Sequence, residues 1–415
     1  TTRTRYRTTT SSKPSSFKDS IDGYMNNKQN LIFVAPWYGK DAHGGAETLC
    51  RLVAEHLNFA DISIQVFTTC SKEFHSEWKN DLPSGKTIEN NMSVTRFKVD
   101  SRDHNSFNIL NQKILSNYSL SKKEELEFFE NNINSSEMMK AITKDKENLF
   151  IFIPYLYGTT FFGAQIHPDR SIIIPCLHDE GYAKMKLVKK ILSDVSGLIF
   201  NSNAEKILAQ KLIQTLPTNK VIGLGINTLE KTDPEDFKRK YNLHKFVLCS
   251  GRKEDGKNTN LLINYFSQYL ERNNTDLKLV LTGKGKIDIP KQFSKNILDV
   301  FLSREDLNSA FEAATIFCLP SVNESFSIVL MESWIHKVPV LVNNQCDVTK
   351  EHCINNNGGL YFDNYLEFEA CLNYFLNNPD MAKKLGENGF NYVKKNYEWN
   401  TIVNSYVDFF QTIKN

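Results

Sequence analysis

The amino-acid sequence predicts an α/β protein with two doubly wound domains, and three observations support this. Short runs rich in Val, Ile and Leu alternate with segments whose apolar residues recur at helical spacing. This alternation is typical of parallel sheets covered by helices on both faces. It pauses and then restarts after about residue 230. The 415 residues also exceed the size of one ordinary hydrophobic core.

The first domain is expected over residues 30–228. Its first strand, "LIFVAP" (31–36), ends in a Gly-containing loop and precedes the helical segment "AETLCRLVAEHL" (46–57). Residues 1–29, rich in Thr, Ser, Lys and Arg, are expected to be a tail and lead-in, its first part flexible or packed on a neighbour. The other predicted strands of this domain are "ISIQVFTT", "SVTRFKV", "LFIFIP" (149–154), "SIIIPCL" (171–177), "GLIFNS" (197–202) and "KVIGLG" (220–225).

Residues 104–147 interrupt this pattern with a polar, Asn- and Lys-rich helical region. Such insertions often determine which substrate is used. The second domain is expected over residues 229–396. A last amphipathic helix, at about 397–415, is expected to pack back on the first domain. The predicted strands of the second domain are "FVLCSG" (246–251), "LKLVLTG" (277–283), "ILDVFL", "TIFCLP" (315–320) and "VPVLV" (338–342).

Composition excludes several classes of protein. A net charge of +2 argues against bulk nucleic-acid binding. The eight cysteines form no C-x-x-C pair and several lie in strand-like runs, so we expect buried, reduced thiols and a cytoplasmic location. No apolar run approaches the ~18 residues that cross a bilayer, and no signal peptide is visible. The sequence leaves the oligomeric state open.

Candidate functional residues lie in loops that follow the predicted strands. In open α/β sheets, ligands bind at the carboxyl ends of strands. Gly44 and Gly45 precede a helix, where paired glycines let the backbone approach an anion, although an ordinary strand-to-helix turn has the same pattern. Arg252 and Lys257 lie in the loop "GRKEDGKNTN", and a guanidinium with an ammonium suits a pyrophosphate.

The stretch "SVNESFSIVLMES" (321–333) places Glu324 and Glu332 eight positions apart. Its plainest interpretation is a capping box formed by Ser321 and Glu324 at a helix start, with Glu332 solvated. The loop nevertheless follows a predicted strand of the same sheet as the Arg252 loop. Their convergence at one sheet edge therefore favours a binding site.

The second half resembles the nucleotide-binding domain of retaining glycosyltransferases of family 4, within the glycosyl transferases group 1. The matching segments are "CSGRKEDGKNTNLLINYF", "LVLTGKG", "SREDLNSAFEAATIFCLPSVNESFSIVLMESWIHKVPVLV" and "NNNGGLYFDN". The first half is a weaker match, through "GGAETLCRLVAEHL", "PCLHDEGY" and "LIFNSNAEK". The resemblance implies the GT-B architecture, two Rossmann-like domains that face each other across a cleft.

The resemblance also implies roles for the glutamate loop. Glu324 would face the transferred sugar and its anomeric carbon, and Glu332 would hold the ribose hydroxyls of the nucleotide. The segment between them, including Phe326 and Ser327, would present backbone amides to the donor. Whether Glu324 acts as nucleophile or as an electrostatic group is open, and the second role is favoured.

The resemblance assigns Arg252 and Lys257 to the diphosphate leaving group and His178, after the strand 171–177, to the donor sugar. A lone histidine after a strand is otherwise more often a structural hydrogen-bonding residue. Two cations can stabilise the charge that develops on the diphosphate. No DxD-type motif is placed to bind a metal, so the sequence predicts a metal-independent reaction without cofactor.

The chain departs from the family pattern at Ser325 and Ser327, where glycines are usual, and in the segment "SWIHKVP". These departures leave the donor sugar open. They also keep open a catalytically inactive, glycosyltransferase-like subunit that recognises an acceptor or partner. A nucleotide-sugar epimerase of the same architecture is disfavoured, because the family motifs occur in order.

The expected partners are a nucleotide sugar (UDP- or GDP-linked) and a saccharide, lipid-linked or glycoprotein acceptor, with no nucleic acid. The segment "YAKMKLVKKIL" (182–192) has lysines beside apolar residues. It could lie peripherally on the inner face of an anionic membrane. The alternative, a core-packed helix with a solvated lysine face, is favoured.

Overall fold

The computed structural model describes residues 30–414, apart from 41, 43, 61 and 228–231. The expected tail at 1–29 and the expected domain boundary at 228/229 lie outside the described residues. Two separate sheets organise the described chain, one of eight strands and one of six. The predicted α/β class with two doubly wound sheets is confirmed.

The first sheet has the strand order β3-β4-β2-β1-β5-β6-β7-β8. All neighbouring strands pair in parallel except β3, which runs antiparallel to β4. The sheet is therefore mixed rather than wholly parallel, because a tight turn returns the chain along its exposed edge. The strands are β1 (Leu31–Val34), β2 (Ile64–Thr69), β3 (Gly85–Glu89), β4 (Met92–Phe97), β5 (Leu149–Phe152), β6 (Ser171–Ile173), β7 (Gly197–Phe200) and β8 (Thr218–Val221).

Eight α-helices connect these strands in the described part of the first half. The polar insertion at 104–147 contains three of them, α2 to α4, as its lack of strand patterning predicted. Ser121 and Glu124 form a complete capping box at the start of α3. The helices are α1 (Gly45–Phe59), α2 (His104–Leu115), α3 (Lys122–Glu130), α4 (Ser136–Lys144), α5 (Gly158–Gly163), α6 (Gly181–Lys184), α7 (Lys186–Asp194) and α8 (Asn203–Leu212).

The second sheet is wholly parallel, in the order β11-β10-β9-β12-β13-β14. Its central strands are buried along their whole length, as expected for strands covered on both faces. The strands are β9 (Phe246–Ser250), β10 (Lys278–Thr282), β11 (Ile297–Asp299), β12 (Ile316–Leu319), β13 (Val340–Asn343) and β14 (Gly359–Phe362).

The helices of the second half cover this sheet, except for the last, which returns to the first half. They are α9 (Pro234–Tyr241), α10 (Thr259–Arg272), α11 (Arg304–Ala313), α12 (Ile328–Ile335), α13 (Asp347–Asn356), α14 (Tyr365–Asn377), α15 (Pro379–Asn396) and α16 (Trp399–Lys414). Because β9 and β12 are neighbours, the loops that follow them open at the same sheet edge.

Helix α16 packs against the first sheet and α1. A Cβ atom added at Gly197 of β7 would meet Ile413 and Phe409 of α16 at 2.8 and 3.0 Å. Trp399 stacks on His56 of α1 with ring centroids 3.4 Å apart. The chain thus crosses between the halves a second time after Tyr397, whose carbonyl accepts a hydrogen bond from the Ile226 amide at 2.8 Å.

The eight cysteines are all free thiols, and seven of them are buried. They act as small apolar residues of the core, as their positions in strand-like runs predicted.

Candidate active site

The glutamate loop joins β12 to α12 and brings Glu324 against Lys257. The Lys257 Nζ atom donates a hydrogen bond to Glu324 Oε1 at 2.7 Å. Lys257 ends a short 3-10 turn after β9, and the Val322 amide bonds to the Gly256 carbonyl at 3.1 Å. The Glu324 side chain is only 9% exposed. Two loops from neighbouring strands therefore hold a carboxylate and an ammonium together at the sheet edge.

The structure does not support the capping-box interpretation of this loop. Helix α12 begins at Ile328, its N-cap residue is Ser327, and no side chain caps it. Ser321 is fully buried and lies on the loop itself, six residues before the cap. Glu324 is engaged by Lys257 instead. The carboxylate is thus positioned by the neighbouring loop and not by a helix end.

His178 faces this pair from the first half of the chain. It follows β6 and, with Glu324, lines a cavity of about 380 Å³ between the two halves. Burial lowers the pKa of His178, the Glu180 and Glu324 carboxylates oppose that shift, and Lys257 and Arg252 add to it. The imidazole is therefore neutral at neutral pH, and it lies within the electrostatic reach of three predicted site residues.

Buried groups hold the loop that carries His178. Glu205, at the start of α8, accepts a hydrogen bond from the Leu177 amide at 2.6 Å. Burial raises the pKa of Glu205 to about 8, although backbone amide donors oppose this. On the other side, the Tyr155 hydroxyl donates to Glu180 at 2.9 Å. The orientation of the loop is thus set by partners in the core of the first half.

Arg252 lies at the interface between the halves. Its Nη1 atom is 3.2 Å from Glu254 Oε1, and the same oxygen is 3.3 Å from His75 Nε2. The charge of Arg252 also lowers the pKa of Glu47 in α1, which burial raises more strongly. The predicted cation therefore lies among carboxylates and a histidine, two of these groups from the opposite half.

The predicted glycines adjoin Glu47. Gly44 is extended, with φ −177°, and Gly45 is the first residue of α1. A Cβ atom at Gly44 would lie 2.0 Å from the Glu47 carboxylate, whereas one at Gly45 would meet nothing. The absence of a side chain at Gly44 thus leaves room for this carboxylate beside the backbone.

Glu332 has a different cationic partner from Glu324. It occupies α12 and forms an ion pair with Arg304, the first residue of α11, at 2.6 Å. Its side chain is 12% exposed, whereas that of Arg304 is 59% exposed. The structure thus brings together Glu324, Lys257 and His178 and places Glu332 on the adjoining helix with a cationic partner.

Phe326 and Ser327, the two predicted site residues between Glu324 and Glu332, are each constrained by the structure. Phe326 is buried, and its ring packs against Tyr397 and His352 at 5.1 and 5.8 Å. Ser327 has φ 71°, in the left-handed region that favours glycine, and its buried hydroxyl has no partner among the described residues. The side chain of Phe326 therefore anchors the loop, and only the backbone of this segment can face a donor.

The pairings of Arg304, Glu254 and His75 were not predicted from the sequence. All three lie in loops or at a helix start, where isolated charges are usually solvated. In the sequence, these residues could have been singled out only by the position of Arg304 and Glu254, which come just after predicted strands of the second domain.

Residues 233–392 match the family model of the glycosyl transferases group 1. The second half of the chain is a group 1 glycosyltransferase domain. This confirms the predicted resemblance at the level of the group and is compatible with family 4. This chain is similar to an α-1,4-N-acetyl-D-galactosaminyltransferase of Campylobacter jejuni, 24% identical over 302 residues, which cover 70% of this chain and 78% of the relative.

Solved structures similar to this chain show its fold. Sucrose-phosphate synthase from Thermosynechococcus elongatus aligns with a TM-score of 0.69 at 15% identity, over 93% of this chain and 99% of that chain. Anabaena Alr3699/HepE in complex with UDP and glucose aligns with a TM-score of 0.65 at 13% identity, over 92% and 100%. The fold of the glycosyltransferase is GT-B, as predicted.

The described residues offer neither a metal-binding cluster nor a membrane-spanning helix. No cluster of three or more His, Cys, Asp or Glu side chains in this part of the glycosyltransferase has a geometry that could hold a metal ion. None of its described helices combines the length and the apolar character needed to cross a bilayer.

Proposed function

We propose that this glycosyltransferase is a retaining, metal-independent enzyme that transfers a hexose-type sugar from a UDP- or GDP-sugar to a saccharide, lipid-linked or protein-linked acceptor. The observation that carries the proposal is the convergence of Glu324, Lys257 and His178 at the junction of the two halves. A carboxylate, an ammonium and a neutral imidazole there provide the groups that a reaction at an anomeric carbon needs.

Departure of the diphosphate requires positive charge near its oxygens. Lys257 and Arg252 follow the same strand, β9, and lie on the edge that faces the first half. In a site partly shielded from water, such preorganised charges stabilise a developing anion without reorganisation. We assign the leaving diphosphate to these two cations. A metal ion would then be dispensable, because its electrostatic role is already filled.

Retention of configuration requires that the acceptor hydroxyl attack from the side on which the diphosphate leaves. Glu324 is positioned by Lys257, and its carboxylate can stabilise positive charge at the anomeric carbon. His178, neutral and opposite, can hydrogen-bond a sugar hydroxyl. We assign Glu324 an electrostatic role, since its charge is already balanced by an ammonium in direct contact.

A lipid-linked acceptor is supported by the Campylobacter jejuni relative, whose name specifies a saccharide on PP-undecaprenol. It is also supported by the surface of the first half. In α7, the apolar residues pack inward, as the favoured alternative for this segment expected, so only its lysines are available to a membrane surface. Helix α2 exposes Ile109 and Leu115, at 61% and 57%. Lysines beside exposed aliphatic residues suit peripheral contact with an anionic membrane on its cytoplasmic face.

A binding subunit without turnover is the second candidate. The observation that favours it is the serine at position 327, which places a side chain where the backbone conformation favours glycine. Donor cleavage separates the two proposals, because a binding subunit would hold the nucleotide sugar without consuming it.

The test uses the full chain and a panel of UDP- and GDP-sugars. The donor that binds should raise the thermal midpoint by several degrees at about 100 times its Kd. Cleavage of that donor, followed by NMR, should yield a product with the donor's anomeric configuration, both with and without excess chelator. An inverted product would refute retention. Loss of turnover in chelator, restored by magnesium or manganese, would refute metal independence, and binding without cleavage would favour the binding subunit.

A further inference from the structure

One carboxylate oxygen lies between a cation of the second half and a histidine of the first. Glu254 Oε1 is 3.2 Å from Arg252 Nη1 and 3.3 Å from His75 Nε2. The oxygen is buried, yet it makes no hydrogen bond of good geometry with any described residue. Attraction between charges, without aligned hydrogen bonds, therefore holds it there. A negatively charged oxygen is thus favoured between Arg252 and His75. The Glu254 carboxylate occupies this place without forming a hydrogen bond to either side chain.

The loop that carries His75 is anchored in the first half and reaches the second half. It runs from residue 71 to 78 and is fixed by the Trp37 indole, which donates to Ser71 at 3.1 Å. The ring of Phe74 packs on Trp37 at 5.8 Å, and the Trp78 indole donates to the Phe74 carbonyl at 2.9 Å. These contacts therefore place the backbone of the loop, and with it His75, beside the second half.

A second ion pair shows that this loop meets the second half at two points. Glu73 Oε2 is 3.3 Å from Lys284 Nζ, and Lys284 lies in the loop after β10. This pair does not involve Arg252. Like the contact of His75 with Glu254, it joins one residue of this loop to one residue of the second half. It therefore serves as a control for the loss of an ion pair between the halves.

We propose that His75 and Arg252 together form a site for one phosphate of the nucleotide donor, and that the Glu254 carboxylate competes for it. This inference rests on the proposed function, which assigns the donor diphosphate to Arg252. A diphosphate carries more charge and more acceptor oxygens than one carboxylate, so it can bond to both side chains with better geometry. Binding of the donor would then connect the two halves through His75.

The proposal gives opposite signs for two conservative substitutions. Glu254→Gln keeps the size of the side chain but removes the competing charge, so the affinity for UDP should rise about fivefold. His75→Gln removes an imidazole donor from the phosphate, so the affinity for UDP should fall about fivefold to tenfold. A merely structural ion pair predicts something else: both changes would lower stability, and neither would strengthen UDP binding.

The experiment is a calorimetric titration of UDP and GDP into the wild type, Glu254→Gln, His75→Gln and the control Glu73→Gln. The thermal midpoint of each variant is measured in parallel. Glu73→Gln should bind like the wild type, because its carboxylate faces Lys284 and not the phosphate site. Equal or weaker UDP binding by Glu254→Gln, or equal gains in Glu254→Gln and Glu73→Gln, would overturn the proposal.

Inorganic pyrophosphate separates this inference from the proposed function. A wild type that binds neither UDP nor GDP would refute the proposed donor class. The phosphate site would still stand if Glu254→Gln bound pyrophosphate more tightly than the wild type did and His75→Gln bound it more weakly. Unchanged pyrophosphate affinity in both variants, with UDP bound normally by the wild type, would refute the site while leaving the donor class intact.

Discussion

Glu324 and Lys257 come from loops after two neighbouring strands, and their side chains meet at 2.7 Å. Because the contact is mostly shielded from water, each charge depends on the other. Truncation of either side chain would leave an unpaired charge, which costs more than the pair contributes. A glutamine at position 324 keeps a hydrogen-bond acceptor for Lys257 while it removes the negative charge. It is therefore the variant that isolates electrostatics from packing.

We expect Glu324→Gln to retain UDP binding while the rate of sugar transfer falls about a hundredfold or more, an electrostatic loss of about 3 kcal/mol. The measurement is steady-state transfer together with UDP titration on the same preparation. Glu271→Gln, an exposed change on α10, is the matched control. A lowered thermal midpoint with unchanged transfer would show that Glu324 is only structural.

The role of Glu332 can be tested by comparing its substitution with that of its ion-pair partner, Arg304. If Glu332 holds the ribose, Glu332→Ala should weaken UDP binding about tenfold, because charge-assisted hydrogen bonds to the nucleotide are lost. If its role is limited to the ion pair with Arg304 at 2.6 Å, then Glu332→Ala and Arg304→Ala should have equal, small effects on stability and none on affinity. Titration of UDP and thermal melting of both variants distinguish these outcomes.

Among the elements, α12 begins with an unfavourable backbone. Ser327 adopts φ 71° and buries a hydroxyl without a partner in the described chain. We expect Ser327→Gly to raise the free energy of unfolding by about 0.5–1 kcal/mol, since glycine adopts this conformation without strain. Thermal melting checks this, with Ser325→Gly as control because Ser325 does not have positive φ. An unchanged or lower thermal midpoint for Ser327→Gly would show that the backbone at Ser327 is not strained.

Helix α13 contributes a buried histidine to the contact under the glutamate loop. Burial lowers the pKa of His352 from 6.5 to about 4. The unfolded chain therefore binds a proton below about pH 6.5 that the folded chain refuses, so stability is lost as the pH falls from 6.5 towards 4. We expect His352→Gln to flatten the loss of stability in this window, by up to about 3 kcal/mol in the free energy of unfolding. Thermal melting at several pH values between about 4 and 7 measures this. Exposed His104→Gln should leave the pH profile unchanged, and an equally steep profile for His352→Gln would refute the assignment.

The elements that the sequence predicted are those whose burial leaves a local pattern. Strand β12 is an unbroken apolar run, and it was predicted at the correct place. Strand β3 was missed, because it is an exposed edge strand with little apolar character. The same distinction applies to the site. The loops of Glu324 and Lys257 follow from the strand order, whereas the approach of His75 to Glu254 depends on how two halves meet, which no local pattern encodes.

In the whole molecule, polar contacts close the cleft at more than one point. Beside the cavity, Glu351 of α13 accepts hydrogen bonds from the Ala204 amide at 2.7 Å and the Asn203 side chain at 3.0 Å, both at the start of α8. This carboxylate also complements the positive end of the α8 dipole. It therefore joins the halves at a point beside the cavity.

We expect Glu351→Ala to lower the free energy of unfolding by about 1–3 kcal/mol, because charge-assisted hydrogen bonds between the halves are lost. Small-angle scattering should also show a larger radius of gyration, since the cleft opens more readily. Glu271→Ala on α10 is the control for loss of an exposed carboxylate. Unchanged scattering and stability would show that Glu351 does not restrain the halves.

The return of α16 to the first half affects how the chain folds during synthesis. Its residues Ile402, Tyr406 and Phe410 are at most 2% exposed and belong to a core cluster that includes the strands and α1 of the first half as well as residues of the second half. They leave the ribosome only after the whole second half has been made. The half that emerges first therefore has an uncovered apolar face while the second half folds, so it reaches its final state last, and chaperones have a defined surface to protect during that interval.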